Sequence, residues 1–330
     1  KSLRNIIPLR NLLEKYGSDI VRLLIALGAE VPQDENVDPE TMEKLCSYEY
    51  PQILMWIHDA TLKFYKDRDK LRQDMNDIDK LFWSEFLYKI SKAIKLLDDF
   101  KIREAGIVVF YDVRSMLSTY LSMVEVPHKM VLDIIRLWIP LLSCYTPFIA
   151  EEIWSKTFGE KYASTQRIGI PKEFDKQAIA ALRYVDVIAE SVYNIMKATK
   201  KAAITRVTIY VAPADQQKIM KRILELRKAG LKIGEIIDVL ATEFGVDKKS
   251  IARIAKTLHD IAINIPEELA NLYIELRDID EFALAKTAQQ CLSKLLNCQV
   301  EIYRADDINA PDRGGKKMAA APLRPGLYLE

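Results

Sequence analysis

The side chains with the clearest chemical potential in this chain are basic, and they recur at helical spacing. Lys197, Lys200, Lys201 and Arg206 crowd one short stretch. Lys218, Lys221 and Arg222 share a helix face opposite Ile219 and Ile223, and Lys249, Arg253 and Lys256 do the same opposite Ile251, Ile254 and Leu258. Cations on one stripe neutralise phosphates and release counterions, giving a salt-sensitive affinity for nucleic acid. The same pattern also describes the solvent side of any amphipathic helix, so the spacing alone leaves both readings open.

Catalytic constellations are missing. The chain holds no glycine-rich phosphate loop, no dinucleotide fingerprint, no H-E-x-x-H and no nucleophile elbow. Glu151 and Glu152 are adjacent, and neighbours on a helix point about 100° apart, so a surface or capping role is expected of them. Three histidines and four cysteines stand far apart without a C-x-x-C pair, which excludes a zinc ribbon or a disulfide framework. Buried thiols in a reducing cytosol are expected.

The elements that must carry these residues change character near residue 204. Up to about Thr199 the period is helical: Ile78, Leu81, Phe82, Phe86, Ile90 and Ile94 make one apolar stripe, and Val131, Ile134, Ile135 and Trp138 another. Gly17 breaks the first helix. Trp83, Trp138 and Trp154 read as core, and Tyr145 and Tyr162 as loop residues that pack or stack on bases. Arg206–Ala212 then alternates with β-branched residues, as do Leu272–Leu276 and Val300–Arg304, predicting three strands. Between the first two lie three short helices, the second and third joined through Gly245 like a weak helix-turn-helix. Asp247 caps the third, and Asp278 with Glu281 suggests a capping box for a fourth. The expected fold class is mainly α, a helical bundle followed by a small α/β C-terminal domain. The divisions fall at residues 1–45, 46–203, 204–305 and 306–330, the last a flexible linker and a loose, extended, proline-stiffened C-terminal tail.

Bulk properties are those of a globular protein. The 330 residues are 49% hydrophobic and 29% charged, with a net charge of +1, so nucleic-acid affinity must come from local patches. No apolar run reaches the length of a membrane span and no signal peptide opens the chain. Lys1 comes first and Met42 is the earliest methionine, the mark of a piece of a longer chain.

Two motifs carry a family resemblance. Lys1-Ser2-Leu3-Arg4-Asn5, followed by Tyr16-Gly17-Ser18-Asp19 and Arg22, resembles the end of the KMSKS signature of class I aminoacyl-tRNA synthetases and the helix after it. Pro147-Phe148-Ile149-Ala150-Glu151-Glu152-Ile153-Trp154 is similar to the stretch that marks their helical anticodon-binding domain, and Lys101–Ala105 before Tyr111 fits the same domain. The α/β appendix, the proline-rich segment and the terminal Leu327-Tyr328-Leu329-Glu330 look like the archaeal type of leucyl-tRNA synthetase.

The resemblance implies a helical anticodon-binding bundle and a C-terminal domain that holds the body and long variable arm of leucine tRNA. Leu329 and Glu330 become tRNA contacts beside the basic residues, which act as a backbone clamp. Lys1 becomes the KMSKS lysine that stabilises charge on ATP phosphates, with Ser2 in the same ATP loop. ATP with Mg²⁺ and leucine would be used only with catalytic segments not contained in this chain, so no cofactor and no aminoacylation are expected of the chain alone. Leu3-Arg4 stands where the resemblance implies Lys-Gly after the signature. A cytoplasmic monomer without membrane contact is expected. A stand-alone tRNA-binding factor derived from a split or duplicated synthetase is the alternative, and a DNA-binding reading of the helix pair is a third.

Overall fold

Helix starts in this chain are written in short polar side chains. Asp38 accepts from the Glu40 and Thr41 amides ahead of the helix Pro39–Lys44, and Asn76 with Asp79 forms a reciprocal capping box for Asp77–Asp98. Asp175, Asp247 and Asp280 serve Lys176–Thr199, Lys248–Ile263 and Glu281–Thr287 in the same way. The expected box from Asp278 is therefore shifted: Asp280 is the cap, and Glu281 points inward, fully buried.

A computed structural model describes residues 7–30, 38–159, 162–171 and 173–330. It divides into two compact units, Lys1–Phe174 and Asp175–Glu330.

The first unit is all helical among its described residues. Leu9–Tyr16 and Ser18–Gly28 meet at Gly17, whose φ of 82° suits a residue without Cβ. Tyr50–Lys66, Asp77–Asp98, Val113–Met123, Met130–Leu142 and Pro147–Thr157 then pack around Phe86, Ile90, Tyr120, Trp138 and Trp154. The predicted stripe at 78–94 is this core face. Trp138 and Trp154 are buried as expected, while Trp83 is only partly so. Trp138 donates its indole N–H to the Val109 carbonyl at 2.7 Å, which satisfies the one polar atom the ring takes inside. The helical stretch from Ile102 to Met123 contains a π-turn at Ile107–Asp112.

The second unit begins with the long helix Lys176–Thr199, which ends where Lys200 turns left-handed at φ 53°. It packs on Glu267–Glu275, Glu281–Thr287 and Gln289–Leu296 of its own unit. The expected division at 203/204 would part this helix from those partners. Strand β1 (Arg206–Val211) is central, with β2 (Gln299–Arg304) parallel on one side and β3 (Gly326–Leu329) antiparallel on the other. Val207 sits opposite Val300 and Leu329, and Ile209 opposite Ile302 and Leu327. Ala214–Lys228, Ile233–Phe244 and Lys248–Ile263 follow β1.

Two expectations fail in this unit. Leu272–Leu276 is not a strand but the end of the helix Glu267–Glu275. Acidic Glu267 and Glu268 sit in its first turn after Pro266, and Leu269, Leu272 and Tyr273 are buried at helical spacing. The tail 322–330 is not a loose extension either: Leu327 and Leu329 are buried, and β3 supplies a sheet edge.

Candidate nucleic-acid interface

The two sequence motifs meet in the first unit. Asp19 accepts from the Phe148 and Ile149 amides at 3.2 and 2.9 Å, capping the helix Pro147–Thr157 from a distant part of the chain. Arg22 donates to the Cys144 and Tyr145 carbonyls at 2.8 and 3.2 Å, where Met130–Leu142 runs out. The adjacent acids also have structural work, as expected. Glu151 caps the short turn Ala163–Thr165, accepting from the Ala163 and Ser164 amides, while Glu152 pairs with Lys156. Tyr145 is buried, with its hydroxyl on the Ile102 carbonyl, whereas Tyr162 is exposed. Cys46 and Cys291 are buried, Cys298 is intermediate, and Cys144 is exposed, against the expectation of buried thiols throughout. Lys1 and Ser2 lie outside the described residues.

The predicted basic residues divide into two sets. One set is consumed within the fold. Lys221 gives its ammonium to the Leu276 and Arg277 carbonyls at the end of Glu267–Glu275. Arg222 is clamped by Glu243 at 2.6 and 2.8 Å and by Glu225 at 2.9 Å, which holds its proton more firmly than usual. Arg206 lies 3.6 Å from both Glu301 and Glu330. Lys201 donates to the Leu329 carbonyl at 2.8 Å. The reason is topological: each sits where a carboxylate or an unpaired carbonyl end comes within reach, which no linear stripe reveals.

Leu329 and Glu330 belong with this set. The Leu329 side chain is buried in β3. Glu330 bonds through its backbone to Thr205 and Arg206, and its carboxylate meets Arg313 at 3.0 Å.

The other set is free to meet a ligand. Lys197, Lys200, Lys218, Lys249, Arg253 and Lys256 are exposed; Lys218 lies only loosely near Asp215, at 3.9 Å. Lys249 and Arg253, one helical turn apart, line an open cleft of about 770 Å³ together with Arg324. Gln216, Ser250 and Thr257 add neutral polar groups, and Ile254, Met318 and Ala319–Ala321 an apolar wall. No carboxylate lines this cleft, and its three cations have no ion pair among the described residues. Arg324 was not expected; its only signal is an arginine between Pro322 and Pro325. The arrangement can bind polyanions and has no nucleophile, base or metal set. Among the described residues no group of His, Cys, Asp or Glu could hold a metal ion, and no helix is long and apolar enough to cross a membrane.

Residues 79–213 match the family model of the anticodon-binding domain of tRNA ligase. A leucine–tRNA ligase of Pyrobaculum calidifontis is 32% identical over 332 residues, taking in 100% of this chain and 32% of that protein. Leucine–tRNA ligase 1 of Metallosphaera sedula is 29% identical over 333 residues, with 100% and 34% covered. A crystal structure of an Agrobacterium radiobacter leucyl-tRNA synthetase in a ternary complex with tRNA aligns with 52% of this chain and 22% of its own, at 16% identity and a TM-score of 0.44. The chain spans about a third of the length of the curated relatives it matches. Over its whole length the chain is thus similar to the C-terminal part of archaeal leucine–tRNA ligases, and within it residues 79–213 are similar to the anticodon-binding domain of tRNA ligase.

Proposed function

We propose that this chain is the tRNA-binding portion of a leucine–tRNA ligase, the enzyme that joins leucine to its tRNA at the expense of ATP with Mg²⁺. The observation that carries the reading is the similarity of the whole chain to one end of leucine–tRNA ligases, with an anticodon-binding-domain match across residues 79–213. In this reading the helical unit supports the tRNA body. The unit Asp175–Glu330 meets the long variable arm, using Lys197, Lys200, Lys218, Lys249, Arg253 and Lys256 as phosphate contacts.

The chain by itself does not charge tRNA. It offers no nucleotide-binding loop or catalytic constellation, and leucine and ATP act only with the catalytic segments of the longer enzyme. Lys1 and Ser2, as the end of a KMSKS signature, would serve those segments.

Fluorescence anisotropy with three RNAs tests the proposal: leucine tRNA, the same tRNA with its variable arm trimmed, and isoleucine tRNA. Tighter binding of the intact leucine tRNA, lost on trimming, is the expected result. Equal binding of all three with a steep salt slope would reduce the chain to an unspecific phosphate clamp.

A further inference from the structure

The cleft in the second unit is bounded on one side by a short turn with an unusual support. Ala321 and Arg324 exchange backbone hydrogen bonds, both at 2.9 Å, around Pro322 and Leu323. Leu323 occupies the left-handed region at φ 59°, a costly conformation for a branched side chain. Something must hold it there. Its amide N–H donates at 2.9 Å to the carboxylate of Glu281, which has no exposed surface. The same carboxylate accepts from the Tyr273 hydroxyl at 2.8 Å and the Tyr184 hydroxyl at 3.0 Å. The Glu281 amide donates to the Gln217 side chain, whose own amide donates to the Ala212 carbonyl. Two helices thus place a hydroxyl on this carboxylate, a third ties the Glu281 amide to the end of β1, and the carboxylate pins the residue before Arg324.

We propose that the cleft of Lys249, Arg253 and Arg324 is a phosphodiester site for an RNA strand, with Glu281 as the positioning residue that fixes Arg324 at its mouth. The proposal rests on the tRNA-binding reading and deepens it by naming the seat. Three supports are independent of the family. Among the described residues the lining cations have no carboxylate partner and the lining contains no acid, and the small side chains of Ala319–Ala321 leave room for a sugar-phosphate chain to approach. A guanidinium gains most as a phosphate ligand when it is preorganised, because less rotamer entropy is lost on binding. The turn anchored on a buried carboxylate fixes the backbone from which Arg324 projects, so only its side-chain torsions remain to be ordered on binding. Glu281 touches no ligand itself and acts only through Leu323.

The test uses the full chain and a leucine tRNA transcript, with anisotropy titrations over a range of KCl concentrations. Arg253→Ala and Arg324→Ala should each weaken binding several-fold and lower the log–log salt slope by about 1. Glu281→Ala should weaken binding too, and Arg324→Ala should then cost markedly less in that background than in the unaltered chain. Glu281→Gln keeps an acceptor for the Leu323 amide and should retain both the affinity and the full effect of Arg324→Ala; it carries the comparison if Glu281→Ala fails to fold. Failure of the unaltered chain to bind tRNA would overturn the tRNA-binding reading and the cleft with it. Binding with an unchanged slope in both arginine variants would overturn the cleft alone. Equal effects of Arg324→Ala with and without the Glu281 carboxylate would remove Glu281 from the site. A Glu281→Gln chain that folds but no longer feels Arg324→Ala would also contradict the hydrogen-bond role. Binding of duplex DNA as tight as that of tRNA would overturn the assignment to RNA.

Discussion

Two buried carboxylates, one in each unit, show how differently burial is compensated. Asp79 has no exposed surface but takes two bonds from the Arg72 guanidinium at 2.8 and 2.9 Å, one from Tyr120 at 2.6 Å and one from the Asn76 amide. A cation and several donors keep it ionised, and its pKa lies below the usual carboxylate value despite burial. Glu281 is equally enclosed but has only neutral donors, and the adjacent Asp280 is itself acidic and is occupied by Arg304. Burial therefore pushes Glu281 up to about 7. Below about pH 4.5 the group is protonated whether the chain is folded or not. As pH rises from there to about 7, the unfolded chain gives up its proton first, so the folded state loses stability, on the order of 3 kcal/mol in all. Urea denaturation at about pH 5 and pH 7.5 should show this loss in the unaltered chain and much less of it in Glu281→Gln. Parallel pH profiles for the two chains would contradict the assignment.

At the scale of elements, β3 and the segment before it are locked by contact rather than by propensity. Gly326 begins the strand, and a Cβ built there would lie 2.1 Å from the Lys316 carbonyl oxygen, a backbone atom that cannot swing aside. The segment crosses so closely because Gly314 and Gly315 both turn left-handed, at φ 62° and 67°. Arg313 then reaches Glu301 at 3.2 Å and Glu330 at 3.0 Å, tying β2 to the residue after β3. Gly326→Ala should cost roughly 1–3 kcal/mol by overpacking and speed amide exchange at Leu327 and Leu329. Gly234→Ala, in a helix where nothing lies within 4 Å of the added carbon, should not lower stability and should leave exchange at Leu327 and Leu329 unchanged, and it serves as the comparison. Unaltered exchange in Gly326→Ala would mean that the strand is not held by this crossing.

At the scale of the molecule, the dividing line of the chain is a question of which core a helix completes. Lys176–Thr199 gives Tyr184, Val185, Ile188 and Val192 to the interior of the second unit, and Tyr184 to Glu281. A chain beginning at residue 175 should therefore unfold cooperatively in urea. One beginning at residue 204 should not, because it exposes that apolar face and leaves Glu281 short of a donor. Equal cooperativity in both would restore the boundary expected from the change of period near residue 204.

Much of this molecule was legible in its order of residues because the information was local. The stripes at 78–94 and 131–138, the break at Gly17, the cap at Asp247 and the strands at β1 and β2 rest on periodicity and short-range hydrogen bonds. The motif Pro147–Trp154 was legible too, as was the family it points to. What periodicity does not encode is which distant group arrives beside a side chain. Leu272–Leu276 alternates like a strand, yet the acids before it and the core beneath it made a helix. Lys221 and Arg222 read as a free stripe, yet the Leu276 and Arg277 carbonyls accept from Lys221, and Glu243 and Glu225 pair with Arg222. Arg324 read as part of a tail, yet a turn pinned on Glu281 brought it into a cleft with Lys249 and Arg253. The sequence by itself determined the helices, the basic inventory and the kinship. Tertiary structure decided which cations stayed unpaired, because pairing depends on contacts tens of residues apart in the chain, and those exist only once the cores are packed.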